Sequence, residues 1–240
     1  MSDNIVMKTW GKLRGILWVA MFVVLLSACS DDFMDSPPVV PVAYVTLYHG
    51  SPDAPELDVV VDNRSIFSNE FEYTDYTGYL NFYTGERNFK FNPFNAANPL
   101  VDTTFSLKQD RNYSVFVIDQ LAGIEALLVQ DSADAPSQGN AMVRFVHLSP
   151  DASSVDVSIA GNTDAPLFAD QTFKKATVFK EVSAEKLTFE MKTAGGDDAI
   201  VSAPDITLQP GRYYTIIARG FANPPQGNNH GLSLQVVANQ

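Results

Sequence analysis

A ten-residue pattern occurs twice in this chain, and the repeat limits the fold more than any other feature. Residues 45–54 read VTLYHGSPDA, and residues 143–152 read VRFVHLSPDA. A second block, residues 107–115, returns as residues 208–216. Such self-similarity indicates two copies of one structural unit. We therefore predict tandem domains over residues 42–136 and 137–240, each of a length that can bury its own core.

Within each copy the apolar residues recur with a period of two, which predicts strands rather than helices. Val45, Leu47 and His49 alternate with the side chains between them, and turn residues such as Pro, Gly, Asn and Asp separate the short runs. Residues 122–128 are the best helix candidate and fit a strand equally well. Aromatic residues make up 11% of the chain, which suits pleated surfaces. About seven strands per copy predict an all-β chain of two immunoglobulin-like antiparallel β-sandwich domains.

The second repeated block has the spacing of a tyrosine corner. Leu107 precedes Tyr113, and Leu208 precedes Tyr214, by the same interval. In a tyrosine corner, the phenol hydroxyl bonds to the backbone a few residues upstream of its own strand. We predict this structural role for both tyrosines. Between the copies, residues 131–140 are rich in Ser, Ala, Asp, Pro and Gly, which predicts a linker or long turn.

Four short motifs of the first copy carry a resemblance to a known family. They are SPDAP at residues 51–55, DVVVD at 58–62, YTGYL at 76–80 and RNYSV at 111–115. Each copy resembles the domain-of-unknown-function 4397 family (DUF4397), and the second copy matches more loosely. The resemblance implies an all-β module, typical of bacterial secreted and envelope proteins, that has no assigned activity.

The beginning of the chain has the anatomy of an export signal. Lys8, Lys12 and Arg14 precede an apolar run over residues 16–26, which is too short to span a bilayer. The run ends in Leu26-Ser27-Ala28-Cys29. This tetrapeptide resembles the lipobox of bacterial lipoprotein signals. The resemblance implies a lipoprotein signal peptide at residues 1–28, cleavage before Cys29 and acyl chains on Cys29.

Two other interpretations of this segment are an ordinary secretory signal and a transmembrane anchor. The lone cysteine directly after small residues favours the lipoprotein signal, and two or more acyl chains hold a protein on a membrane. Residues 29–41 are acidic and then proline-rich, which predicts an extended tether. Ser30 resembles the residue that directs such proteins to the outer membrane, where we expect the domains on the periplasmic side or the cell surface. Translation starts at Met1 or Met7.

Charge and cysteine content exclude several function classes. Residues 1–28 contribute three cations and one anion, so the net charge of −12 becomes about −14 without them. No cluster of Lys and Arg follows Arg14, which argues against nucleic acid as a partner. Cys29 is the only cysteine, so disulfides and thiolate metal sites within the chain are excluded.

The sharpest hypothesis for chemistry is a His/Asp site in each copy. His49 and His147 occupy equivalent positions, with carboxylates nearby in sequence at Asp53, Asp58, Asp151 and Asp156. One histidine per copy is poor material for a zinc site, and a Ser-Pro-Asp turn already explains the first aspartate of each copy. His230 has no serine partner in its loop, and the turn at residues 195–198 lacks calcium-loop spacing. We predict no catalytic residue, no cofactor and no metal site, and leave calcium binding by the acidic turns open.

An aromatic cluster in the first copy is the remaining candidate for ligand contact. It consists of Tyr73, Tyr76, Tyr79, Phe82 and Tyr83, which fit either core packing or an exposed face that binds a glycan or a protein. The sequence therefore predicts a membrane-anchored envelope lipoprotein that acts as a non-catalytic binding, structural or adhesion module. Its expected partners are the membrane, through Cys29, and an envelope protein or glycan. The alternatives are an envelope hydrolase acting on polysaccharide or peptide, and a calcium-dependent adhesin.

Overall fold

The computed structural model describes residues 40–162 and 165–239, and its regular structure there is almost entirely strand. The first eight strands are β1 (Val42–His49), β2 (Leu57–Val61), β3 (Arg64–Ser65), β4 (Leu80–Tyr83), β5 (Gly85–Pro93), β6 (Val101–Leu107), β7 (Asn112–Ile118) and β8 (Glu125–Asp131). The next eight are β9 (Asn140–His147), β10 (Val155–Ile159), β11 (Phe168–Gln171), β12 (Lys180–Ser183), β13 (Lys186–Thr193), β14 (Ala199–Thr207), β15 (Tyr213–Arg219) and β16 (Ser233–Asn239). A short 3-10 turn, Leu121–Gly123, precedes β8.

The strands form four sheets that repeat one topology. Strands β1 to β8, here the first module, make sheets of order β4-β1-β7-β8 and β3-β2-β5-β6. Strands β9 to β16, the second module, make sheets of order β12-β9-β15-β16 and β11-β10-β13-β14. The second pair of orders is the first shifted by eight strands, so the predicted all-β fold of two immunoglobulin-like sandwiches is confirmed.

Two details differ from the prediction. Each described module has eight strands rather than about seven, and one pairing per module is parallel. Strand β1 pairs with β7 in parallel, and β9 pairs with β15 in the same way. The chain between these partners passes through the opposite sheet, and such a long connection allows parallel pairing.

Each module has its own apolar core between its two sheets. In the first module, alternate residues of β1 such as Val45 and Leu47 pack against Phe89 and Phe91 of the opposite sheet. In the second, Val143 and Phe145 pack with Phe189 and Met191 in the same manner. The period of two in the sequence thus places one side of each inner strand in a sandwich core.

A third apolar cluster joins the two modules. It consists of Tyr48, Phe116, Ile118, Val146, Leu148, Ile217 and Val237, which come from both modules. Consequently β1 and β9 are buried on both faces over most of their length. The sheets β4-β1-β7-β8 and β12-β9-β15-β16 therefore pack against each other as the two middle layers of the fold.

Hydrogen bonds and an ion pair also join the two modules beside this apolar cluster. The Tyr48 hydroxyl donates to Gln235 Oε1 at 2.8 Å, and Asn228 Nδ2 donates to the Pro52 carbonyl at 2.8 Å. Lys174 of the second module lies 3.1 Å from a carboxylate oxygen of Asp119 in the first.

Several sequence predictions fall outside or between the described elements. The signal peptide at residues 1–28, the acyl site Cys29 and the tether up to residue 39 lie outside the described residues. Among the residues described, no helix is long and apolar enough to cross a membrane. The domain boundary at residues 136 and 137 stays a prediction. One part of the predicted linker is wrong: Asp131 is the last residue of β8, and Asn140 is the first of β9.

Candidate functional site

Both repeated histidines are buried and bonded to backbone. His49 Nε2 lies 3.1 Å from the Pro55 carbonyl oxygen, and His147 Nε2 lies 3.3 Å from the Ser153 carbonyl oxygen. Burial lowers the pKa of each imidazole, which favours the neutral ring. Each histidine therefore stabilises the loop that follows its own strand through a hydrogen bond to the loop backbone.

The aspartates of the Ser-Pro-Asp turns hold neighbouring loops. Asp53 accepts a hydrogen bond from the Leu121 amide at 2.7 Å. Its equivalent, Asp151, accepts from the amides of Ala222 and Asn223 at 2.7 and 2.8 Å. These carboxylates are thus engaged by backbone amides of a loop 68 to 72 residues away in sequence, and not by the amides just beyond the turn that the turn interpretation predicts.

Asp58 and Asp156, the second pair of aspartates, also accept hydrogen bonds from the backbone amides of other loops. Asp58 accepts from the Asn95 amide at 2.8 Å. Asp156 accepts from the amides of Asp170 and Gly195 at 2.7 and 2.9 Å. In the ranges that the structure describes, no three His, Asp or Glu side chains converge as a metal site. The structure therefore does not bring the predicted His/Asp residues together around a metal position.

The aromatic cluster predicted in the first copy separates into three environments. Phe82 is part of the core of the first module, and Tyr83 is 60% exposed. Tyr73, Tyr76 and Tyr79 are half-buried at the contact between the modules. The exposed aromatic face is therefore not formed by these five residues.

His230 also lies at the module contact, through Tyr73. The two ring centroids are 4.4 Å apart. The Arg219 guanidinium carbon lies 5.7 Å from the centroid of the same tyrosine. His230 is thus an exposed residue in a loop of the second module whose ring contacts Tyr73 at a tilt of 54°, rather than part of a nucleophile pair.

A buried polar cluster lies at the same contact, and its centre is Arg144. This arginine is 1% exposed. Its Nε donates to Thr215 Oγ1 at 2.9 Å, its Nη1 to Asp131 Oδ1 at 2.5 Å and its Nη2 to Ser114 Oγ at 2.8 Å. The guanidinium carbon also lies 4.8 Å from the ring centroid of Phe179. Arg144 therefore links the second module to the first by charge and by hydrogen bonds.

Asp131 is the acceptor at the other end of this cluster. Its side chain is 4% exposed. Besides Arg144, it accepts from Ser114 Oγ at 2.8 Å and from the Tyr79 hydroxyl at 2.7 Å. Burial and the nearby Asp131 charge raise the pKa of Tyr79, which keeps this phenol protonated as a donor. The ion pair is thus satisfied on both sides, as a buried pair must be.

The remaining members complete the polar cluster, which we define as Thr46, Tyr79, Ser114, Asp131, Arg144, Thr215 and Asn239. Thr46 Oγ1 donates to Ser114 Oγ at 2.9 Å, and Thr215 Oγ1 donates to Asn239 Oδ1 at 2.7 Å. Asn239 is 5% exposed, and its Nδ2 has no partner among the described residues.

The strand registers show that the polar cluster occupies equivalent positions in the two modules. Thr46 pairs with Ser114 across β1 and β7, and Arg144 pairs with Thr215 across β9 and β15. Arg144 is therefore the counterpart of Thr46. In the same way, Asp131 opposite Asn112 is the counterpart of Asn239 opposite Tyr213. The two modules are alike in fold but carry opposite charges toward each other.

A cavity of about 220 Å³ lies beside the polar cluster. Its lining consists of Tyr79, Asn112, Asp131, Ala133, Phe179, Tyr213 and Asn239. Ala133 and Asn112 are exposed, whereas Asn239 is buried. The cavity is therefore open to solvent near the connection between β8 and β9.

Sequence reasoning did not identify Arg144, Asp131 or Asn239 as functional candidates. The repeat alignment holds the signal: an arginine stands at the position of Thr46 in a strand whose neighbours are otherwise apolar. A charged residue at a repeated strand position, with the opposite charge at the end of another strand, indicates a cross-module pair. That inference also requires knowing that the sheet is covered on both faces.

A family model matches part of the chain. It is the model "Domain of unknown function (DUF4397)", and it matches residues 43–158. The match begins in β1 and ends in β10, so it covers the first module and the first two strands of the second. The second copy after residue 158 lies outside the match.

Two solved structures match the chain with low identity and low TM-scores. One is a streptococcal virulence factor described for alpha-glucan binding, with 11% identity over 73% of this chain and 92% of that chain, at a TM-score of 0.25. The other is a candidate cell adhesion protein from Parabacteroides distasonis, with 12% identity over 83% of this chain and 99% of that chain, at a TM-score of 0.23. No curated protein matches the chain.

Proposed function

We propose that this DUF4397-containing protein is a lipid-anchored lipoprotein of the cell envelope that acts as a non-catalytic binding module. The observation that carries the non-catalytic part is the use of the repeated His and Asp side chains. His49 and His147 are bonded to backbone carbonyls, and Asp53 and Asp151 are bonded to backbone amides. A hydrolase needs such groups free for proton transfer to a substrate.

The packing of the modules supports a binding or presenting role. A shared apolar cluster and a buried ion pair hold the two sandwiches together. A firm two-sandwich body keeps its loops and its cavity in a fixed geometry, which lowers the entropic cost of binding a ligand. The partner class that we propose is an envelope glycan or protein.

The anchoring part rests on the sequence around Cys29. Acylation of this thiol and of the new amino terminus would hold the soluble body at a membrane, and Ser30 after it supports sorting to the outer membrane. Residues 30–41 would then act as the spacer between the acyl chains and β1.

The test is membrane fractionation of the Cys29→Ala variant in a bacterium that makes lipoproteins. We expect the wild-type protein in the membrane fraction, with mass spectrometry showing an acylated amino-terminal Cys29. The variant should lose the acyl mass and leave the membrane fraction, whereas Ser27→Gly should behave as wild type because both are small residues. A Cys29→Ala protein that stays membrane-bound would overturn the anchor. Protease treatment of intact cells that carry the wild-type protein would distinguish surface from periplasmic display.

A further inference from the structure

The cavity beside the polar cluster has the location of a ligand site. Pockets occur preferentially between domains, and this one lies where equivalent positions of the two modules meet. Its lining includes three such pairs: Tyr79 with Phe179, Asn112 with Tyr213, and Asp131 with Asn239. The members of each pair differ in chemistry, so the cavity presents different groups on its two sides.

The lining has hydrogen-bonding capacity that the protein does not use. Asn239 Nδ2 is a buried donor without a partner among the described residues. Asp131 has about four lone-pair sites, and three hydrogen bonds to it are present, from Arg144, Ser114 and Tyr79. An unpaired donor and a spare acceptor in the lining of one cavity suit a hydroxyl group, which donates and accepts at once.

Charge and size narrow the class of ligand. The Asp131 carboxylate is neutralised by Arg144 at 2.5 Å, and no other charged side chain among the described residues lines the cavity, so a neutral ligand is expected. The volume of about 220 Å³ exceeds the roughly 150 Å³ of a cavity that accepts benzene. There is therefore room for one six-membered ring with polar substituents.

Three aromatic side chains supply apolar surface for the faces of such a ring. The rings of Phe179 and Tyr213 meet edge to face, with centroids 5.7 Å apart and planes at 89°. Arg144 covers Phe179 at 4.8 Å, and the Tyr79 hydroxyl is held by Asp131. These contacts fix the aromatic walls before any ligand arrives.

We propose that this cavity binds one neutral, hydroxyl-bearing ring, the size and chemistry of a single sugar unit of a glycan. This inference rests on the proposed binding role and names its ligand class and its site. Asn239 Nδ2 would donate to a ring hydroxyl, Asp131 would accept from one, and Tyr213 would pack against the ring.

The experiment is titration of the full chain, purified in a detergent without a sugar headgroup, with neutral methyl glycosides of glucose, galactose, mannose and N-acetylglucosamine. We expect saturable heat or chemical-shift changes for at least one of them, with a Kd of about 1 mM or tighter. Glucuronic acid should bind at least about tenfold more weakly, because its carboxylate would lose hydration beside an Asp131–Arg144 pair that leaves it no free cation.

Two variants and one control make the test specific. Ala133→Trp fills the exposed mouth of the cavity and should weaken binding by about tenfold or more, as should Asn239→Ala, which removes the free donor. Tyr83→Phe changes an exposed tyrosine outside the cavity and should bind as wild type does. Urea unfolding of each variant shows whether it is folded. If Asn239→Ala does not fold, Ala133→Trp still tests the cavity, because Ala133 is exposed and its replacement should leave the fold intact.

Absence of saturation by every glycoside, or binding that both cavity variants leave unchanged, would overturn the inference. Membrane fractionation and the acyl mass of Cys29 are measured on the same preparation. An anchored protein that binds no sugar refutes the cavity proposal alone, and a sugar-binding protein that is not acylated refutes the anchor alone.

Discussion

Replacement of Arg144 by Met should destabilise the folded chain by about 3–5 kcal/mol, which is the cost of removing one partner of a buried ion pair. Asp131 would stay 4% exposed without a counter-charge, and Ser114 and Thr215 would each lose one hydrogen bond. Asp131 would keep its bonds from Ser114 and Tyr79, so we expect the lower half of that range. The methionine fills much of the volume of the arginine, which limits the packing cost.

The reciprocal variant and the double variant separate the charge effect from other losses. Asp131→Asn should cost a similar amount, since it leaves the Arg144 guanidinium buried and uncompensated. The Arg144→Met and Asp131→Asn double variant carries no buried charge at this site. Its free energy of unfolding should therefore lie within about 1 kcal/mol of the wild-type value and well above that of either single variant.

The measurement is urea unfolding followed by circular dichroism, with the free energy of unfolding extrapolated to water. Arg87→Met is the matched control, because Arg87 pairs with Asp62 at 2.8 Å while their side chains are 26% and 41% exposed. An exposed pair of this kind contributes about 0–1 kcal/mol. If Arg144→Met costs no more than Arg87→Met, or if the two single effects simply add in the double variant, the buried pair does not couple the modules as described.

Three further predictions each concern the stability effect of replacing one residue. Tyr113→Phe should cost about 1 kcal/mol in urea unfolding, because its hydroxyl accepts a backbone amide, whereas Tyr83→Phe should cost nothing measurable. Burial lowers the pKa of His49 in the folded chain, so the unfolded chain binds more protons as the pH falls below about 6.5, and stability drops. His49→Gln should flatten this loss between about pH 7.5 and 5.5; an unchanged slope would contradict it. Gly220→Ala should cost more than about 1 kcal/mol and more than Gly227→Ala in thermal unfolding, since an added Cβ would clash with the Gly231 carbonyl oxygen, whereas Gly227 has open space at a similar φ.

The fold could be predicted from the sequence because its signals are local or repeated. The period of two along β1 fixed strand identity, and the recurrence of residues 45–54 at 143–152 indicated two like units. The tyrosine corners are confirmed by the hydroxyls of Tyr113 and Tyr214, which accept the amides of Lys108 and Gln209 at 3.2 and 2.9 Å. The strand period and the tyrosine corners depend on residues within one module, and the recurrence needs only a comparison of the two copies.

The contact between the modules could not be predicted in the same way. Alternation along a strand shows which residues share a face, but it does not show that both faces of β1 are buried. Asp131 was predicted to begin a linker because the residues after it are typical of one, whereas its carboxylate pairs with Arg144. The sequence likewise left the tyrosines at 73, 76 and 79 open between core packing and an exposed face. Their environment depends on how the second module packs, and no local pattern encodes that.

The shared apolar cluster also bears on how such a chain can change over generations. Val146 and Ile217 of one half pack with Tyr48 and Phe116 of the other, as partners do in an obligate dimer. A mutation on one of these faces therefore changes which side chains pack well on the other face. Loss of either half would expose these apolar side chains of the remaining sheet to water, so we expect a single copy on its own to aggregate or to need another partner for this face.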